Sequence, residues 1–285
     1  MKKLIMQLIQ FSKLLMKYPK VLLLLQLVFV TQVNFGQTAG EINHYFDMIA
    51  NEPNEKERLV YNDSLTKTII AYLESHDDII GTDIPDIKYL GQITPSDSLI
   101  KLFTWNIPVS GGNNVFNCII YNSVSDTNIL LRGDEGLADL ETDAVIISND
   151  WYGSLYYDIQ AMGNGEEMTY ILLGFDPDNI YMNAKVVDIL HFDEEGRPLF
   201  GKKIFSIKNK VLTRMIFKYS PLATMMLKFN PERSMIIFDH LSPSSPEFEG
   251  QYTYYGPDFS YDALEIKDGK LILVEDIDLR NKNKQ

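Results

Sequence analysis

The chain has 285 residues, 45% apolar and 23% charged, enough to bury a real core and too ordered in composition for a disordered segment. A net charge of -13 repels nucleic acid and anionic lipid, and a single cysteine cannot form an intrachain disulfide, so stability must come from packing. The 16 tyrosines and 15 phenylalanines favour strands.

Residues 1–36 stand apart from the rest. They carry Lys2, Lys3, Lys13, Lys17 and Lys20 and no acid, then the apolar run Val21–Val30, then polar Thr31 and Gln32 and small Gly36. That order reads as a secretory signal peptide cut between Gly36 and Gln37. The competing reading is an uncleaved anchor, but the apolar run is short for a bilayer core of about 30 Å. Cleavage leaves 21 basic against 39 acidic residues, a net of about -18. The expected location is therefore outside the cytoplasm, periplasmic or at the outer envelope, with no transmembrane span in the mature chain. Cys118, inside VFNCIIY, reads as a small buried hydrophobe.

Residues 40–80 predict two helices. Ile42, Tyr45, Phe46 and Ile49 recur at helical spacing, Asn51–Asn54 breaks the pattern, and Leu59, Leu65, Ile69, Ile70 and Leu73 resume it. Asp63 or Ser64 is a candidate cap. Residues 81–98 read as a linker rich in Asp, Pro and Gly. Leu99–Ile107 and Val115–Tyr121 predict a hairpin turning through Gly111–Asn114. Ser123–Ala144 is a polar connection with one apolar piece, NILLR.

From Trp151 the apolar and aromatic residues come in short bursts separated by Gly, Asp, Asn and Pro. They predict strands near 151–160, 168–175, 185–192, 204–207, 211–219, 224–229, 234–240, 251–256, 261–266 and 270–275. DPDN at 176–179, DEEG at 193–196, NPER at 230–233 and KDG at 267–269 mark turns. The fold class is α+β and mostly β: a curved or two-layered antiparallel meander behind two N-terminal helices. The expected order is leader 1–36, helices and linker 37–98, β domain 99–280 and polar tail 281–285.

WYGSLYYDI, TYILLGFDPDN, DILHFDEEGRPLFG, MIIFDHLSP and YYGPDFSYDALEI, taken together behind a leader, resemble a family of secreted or periplasmic proteins of Bacteroidetes-type bacteria. The resemblance covers roughly residues 40–280. It implies export, and it lends no activity and no catalytic residue, since that family has none established.

The chemistry-bearing groups are few. Asp258 and Asp262 flank FSY among Tyr254, Tyr255 and Tyr261. Paired carboxyls beside aromatics are how glycan clefts are built, and these two are the candidate catalytic acids of a hydrolase acting on glycan or another envelope polymer. The competing reading is a Gly-Pro-Asp turn. Trp151, Tyr152 and Tyr156 are candidate ligand-binding aromatics if one face of that strand is open, and core residues if both are covered. Asp176 and Asp178 offer alternate oxygens to a calcium ion. Position twelve of that loop is Val187, however, so the full calcium-hand signature fails and a capped turn competes.

His44, His76, His191 and His240 are scattered with no ligand spacing. Asp239 next to His240 cannot orient it, because neighbouring strand side chains point to opposite faces. No GxSxG, GxGxxG or P-loop pattern exists, so neither triad chemistry nor nucleotide binding is expected. Glu275, Asp276 and Asp278 read as a solvated acidic end. The leading expectation is an exported binding or structural module, with a glycan or an envelope protein as partner. The alternatives are the Asp-based hydrolase and a calcium-dependent binding or adhesion module.

Overall fold

The computed structural model describes residues 39–137, 139–163, 168–179, 181–207 and 210–279, without the side chains of Asp178 and Asn179; the expected leader and polar tail lie outside these. The chain divides into a helical unit, which runs through Asp77 and includes Ile84–Lys88, and a β unit of Asp78–Asp83 and everything from Tyr89 onward.

In the helical unit, α1 covers residues 39–51 and α2 covers Glu55–Glu74. The break falls where the pattern fails, around Pro53. Asn54 starts α2: its side-chain oxygen accepts the amides of Lys56 at 3.0 Å and Glu57 at 3.4 Å, satisfying two donors that the first turn leaves orphaned. Neither Asp63 nor Ser64 is the cap. Ser64 sits inside α2 and donates back to the Val60 carbonyl. Ile42, Phe46 and Ile49 of α1 and Leu65, Ile69 and Leu73 of α2 are buried, as their spacing requires. Asn43 ties α1 to the returning segment through the Asp86 carbonyl, 2.8 Å away.

The β unit contains three sheets. The first is a meander of β1 (Gly91–Ile93), β2 (Ile100–Pro108), β3 (Asn114–Asn122) and β4 (Thr127–Gly133). The β2–β3 hairpin is the predicted one, in register from Ile100↔Asn122 to Pro108↔Asn114. The expected linker supplies β1, and NILLR is the middle of β4.

The second sheet is built from β5 (Ile146–Ile147), β6 (Leu155–Met162), β7 (Thr169–Asn179), β8 (Met182–Phe192) and β9 (Pro198–Phe200), in the order β5-β9-β8-β7-β6. The third holds β10 (Phe205–Ile207), β11 (Lys210–Leu212), β13 (Leu227–Asn230), β14 (Met235–Pro243), β15 (Tyr255–Lys267) and β16 (Lys270–Val274), in the order β11-β10-β16-β15-β14-β13. Between β11 and β13 in sequence, β12 (Met215–Tyr219) instead pairs with the first half of β8. All these pairs are antiparallel except β10 with β16, which run parallel through Phe205↔Leu271.

The second sheet lies between the other two. Tyr170 and Leu172 of β7 and Ala184, Val186 and Leu190 of β8 pack with Ile100, Leu102, Phe116, Cys118 and Ile120 of the first sheet. The intervening residues Ile171, Leu173, Val187 and Ile189 pack with Phe217, Leu227, Ile236, Phe238, Leu264 and Leu271. The architecture is thus three-layered rather than two-layered. The reason is visible in YILL and VVDIL: a strand covered on one face alternates, whereas one covered on both is apolar nearly throughout, here with Asp188 as the exception. Cys118 is fully buried, and that burial pushes its thiol well up, which makes it inert.

The predicted strands 251–256 and 261–266 are not two. A tight turn at Tyr252–Tyr254 leads into one strand, β15, that runs 13 residues. Its register against β14 jumps from Asp239↔Tyr261 to Leu241↔Pro257, so His240 faces the three residues Asp258, Phe259 and Ser260. This bulge holds Phe259 at φ 70°. The KDG signal is borne out: Lys267 pairs Lys270 and both turn residues, Asp268 and Gly269, have positive φ.

Candidate functional site

Trp151, Tyr152 and Tyr156 are core, not surface, at 2%, 1% and 1% exposure. Residues 151–154 are not part of β6. They form a buried crossing whose closeness to β4 requires Gly133, where an added Cβ would lie 2.3 Å from the Trp151 carbonyl oxygen. The three rings serve one buried network. Trp151 Nε1 donates to Tyr156 Oη at 3.0 Å, Tyr156 and Tyr152 hydroxyls are 2.9 Å apart, and Tyr152 Oη donates to Asp188 Oδ2 at 2.6 Å. An indole can only donate and this carboxylate accepts, so the Tyr156 hydrogen points to Tyr152.

Arg214 closes the network. Its Nε reaches Asp188 Oδ2 at 3.3 Å, Nη1 donates to the Glu141 and Ala144 carbonyls at 2.6 and 3.0 Å, and Nη2 donates to the Phe200 carbonyl at 3.0 Å. Burial raises the Asp188 carboxyl, and Arg214, the Tyr152 hydroxyl and the Ile189 amide pull it back toward the ionised form. Nothing here reaches solvent, so this is structural chemistry.

Asp176 is also buried, and its Oδ2 accepts the Leu137 amide at 2.8 Å. β7 continues through DPDN to Asn179, which pairs Met182, with a register shift absorbing the irregularity. The expected turn at 176–179 therefore lies one step later, and Asp176 is not a loop ligand. The side chain of Asp178 is outside the described residues. Among the described residues, no group of three or more His, Cys, Asp or Glu side chains is arranged to hold a metal ion.

Asp258 and Asp262 do come together, around a residue that the pattern did not single out. Asp262 Oδ2 lies 2.8 Å from His240 Nδ1, and its Oδ1 accepts the Asp276 amide at 3.0 Å. Asp258 Oδ1 accepts both the amide and the hydroxyl of Ser260, at 3.1 and 2.7 Å. Asp262 is nearly buried, while Asp258 faces solvent. Each carboxyl is thus engaged by its own donors, whereas the expected acid pair needs two groups free to face one substrate. Asp239, as strand alternation requires, turns away from His240 and accepts the Met226 amide at 2.6 Å.

The hydrogen bond that His240 donates to Asp262 raises the His240 pKa; partial burial opposes it, and the charges of Asp262, Asp258 and Asp276 add to it. A raised folded pKa stabilises the folded state fully below the unfolded histidine value of about 6.5, and that contribution is lost as pH rises through the folded pKa. An Asp262→Asn variant is expected to lower the His240 midpoint toward the free-histidine value in an NMR titration of the imidazole protons. An unchanged midpoint would mean that Asp262 does not hold the ring.

Next to this bulge is an open groove of about 550 Å³. Tyr181, Leu222, Pro243, Tyr254, Tyr255 and Pro257 supply its apolar lining, and Ser242 and Thr253 add hydroxyls. The wall residues are fixed: the Tyr254 ring stacks on Phe248 with centroids 4.1 Å apart, and Tyr255 Oη accepts the Gly250 amide at 2.9 Å. Leu222 is 98% exposed on the rim and Phe259, on the bulge, 94%. Of the six candidate aromatics, Tyr254 and Tyr255 line the groove, Tyr261 is a half-buried strand residue paired with Asp239, and the other three are core.

No family model matches this sequence, and no curated protein or solved structure is similar to it.

Proposed function

We propose that the protein is an exported binding module and that the groove over β14 and β15 is its ligand seat. The observation that carries this reading is the exposed apolar rim, Leu222 and Tyr181, around a concavity whose aromatic walls are already held in place. Large apolar side chains left in water around a preformed cleft are the usual mark of an interaction site. The basic-then-apolar leader and the acidic remainder support export. The hydrolase reading has weaker support, because Asp258 and Asp262 are each committed to other donors.

Two measurements test the proposal. N-terminal sequencing of the protein recovered from its host is expected to begin at Gln37. A photo-crosslinking amino acid placed at Leu222 in the producing cell is expected to give a discrete adduct that the same probe at Val124, an exposed residue on the β3–β4 turn, does not give. Equal labelling at the two sites would remove the groove as the seat.

A further inference from the structure

The groove and the bulge are continuous along β14. His240 precedes the groove residue Ser242 by one two-residue step, about 7 Å along a strand, and Asp258 directly follows the groove residue Pro257. A ligand filling the groove therefore ends over the bulge. The groove offers few open ring faces to a sugar. One face of the Tyr254 ring is covered by Phe248, and Lys218 Nζ stands over the neighbouring Tyr252 ring at 5.6 Å. Beside the exposed Tyr181 ring, what remains open is mostly aliphatic or prolyl: Leu222, Pro221, Pro243 and Pro257. Such a surface takes apolar side chains.

The bulge then sets the charge. Asp262 bonds the His240 imidazole and also accepts the Asp276 amide, and the charges of Asp258 and Asp276 act on the same ring. Even with His240 protonated, three carboxylates outnumber one cation. Phe259 projects beside them in a left-handed backbone conformation, a strain that structures keep where a side chain must be presented.

We infer that the occupant of the groove is a polypeptide segment in which apolar residues adjoin a basic one, whose ammonium or guanidinium group meets the bulge at the exposed Asp258. This inference rests on the groove being the ligand seat, and it names the class of ligand. His240 lies within the same cluster, so its protonation weakens the attraction, and binding is expected to weaken as pH falls through its titration.

The probe is a phage-displayed library of random dodecapeptides panned on the purified protein, with each enriched clone retested on the Leu222→Asp and Asp258→Asn variants. Asn keeps the oxygen that accepts from Ser260, so the second variant removes charge while keeping the bulge. The expected result is a set of clones that lose binding on Leu222→Asp, carry an excess of Arg and Lys over the unselected library, and bind Asp258→Asn about tenfold more weakly or worse, with the gap closing at high salt.

Clones that need Leu222 but show no basic excess, or that bind Asp258→Asn unchanged, overturn the cationic ligand and leave the groove standing. Absence of any Leu222-dependent clone, or displacement of the clones by chitohexaose, overturns the polypeptide. Absence of such clones together with equal photo-labelling at Leu222 and Val124 removes the groove reading itself.

Discussion

An Arg214→Met variant is expected to lose about 3–5 kcal/mol of folding stability, the range for breaking a buried ion pair by removing one partner. The guanidinium and the Asp188 carboxylate are both fully buried. Methionine fills much of the same volume, so the loss is mainly electrostatic. It leaves the carboxylate without its cation and takes the guanidinium donors from the carbonyls of Glu141, Phe200 and Ala144, of which Ala144 keeps the Thr213 hydroxyl. A buried group deprived of its partner carries its full desolvation cost, and here several are deprived at once. Urea unfolding measures the effect. The double variant Asp188→Asn, Arg214→Met should recover part of the loss, because the uncompensated charge is gone while the Tyr152 hydroxyl keeps an acceptor. A single variant within about 1 kcal/mol of the parent, the worth of an ordinary net hydrogen bond, would show that the charges do not hold this junction.

Gly153→Ala should be similarly severe, for a steric reason. Gly153 has φ +96°, and an added Cβ would meet Phe116 Cδ2 at 2.5 Å and both Phe116 Cβ and the Gly133 carbonyl oxygen at 3.0 Å. The backbone conformation alone costs a side chain about 1–3 kcal/mol, and displacing a packed core ring adds about 1–3 kcal/mol. Gly196 separates the two causes: it has φ +75° and nothing within 4 Å of an added Cβ. Gly196→Ala should therefore show only the backbone cost, with a midpoint in urea well above that of Gly153→Ala. Equal midpoints would mean that Phe116 yields freely.

Local signals were legible in the sequence where one residue decides the outcome. The two helices, their break near Pro53, the β2–β3 hairpin and the KDG turn all follow from spacing or from a residue that tolerates positive φ. Layering was harder to read. YILL, and VVDIL apart from Asp188, are apolar because they have a sheet on each side, yet such runs also suit a strand in a sandwich with irregular pairing. β1 and β9 are three residues each, too short for any period to show. Trp151, Tyr152 and Tyr156 are ambiguous in sequence for a related reason: aromatics serve equally at a ligand platform and in a core, and only their shared hydrogen-bond chain to Asp188 decides between the two.

The site was half legible. Asp258, Asp262, Tyr254 and Tyr255 stand out as a cluster; Tyr255, Asp258 and Asp262 do lie on one strand, and Tyr254 ends the turn that leads into it. His240 did not stand out, because its partner is 22 positions away and the pairing passes through a bulge that shifts the register. Asp176 reads as a ligand in a turn, and it is buried because β7 continues past it. Leu222, the most exposed rim residue, carries no motif at all; a leucine between Pro221 and Ala223 becomes notable only when nothing covers it.

The parallel pairing of β10 with β16 bears on how the molecule is made. β16 is the last strand among the described residues, yet it enters the third sheet between β10 and β15 rather than at an edge. The first sheet, formed by consecutive strands, can assemble as soon as Gly133 has been synthesised. The third cannot, because its two parts are bridged only when Lys270–Val274 arrives. Until then Ile171, Leu173, Val187 and Ile189 lack their complete cover. A chain stopped short of Lys270 is thus a finished first layer joined to an open apolar face, and assembly waits on β16, which acts as a keystone.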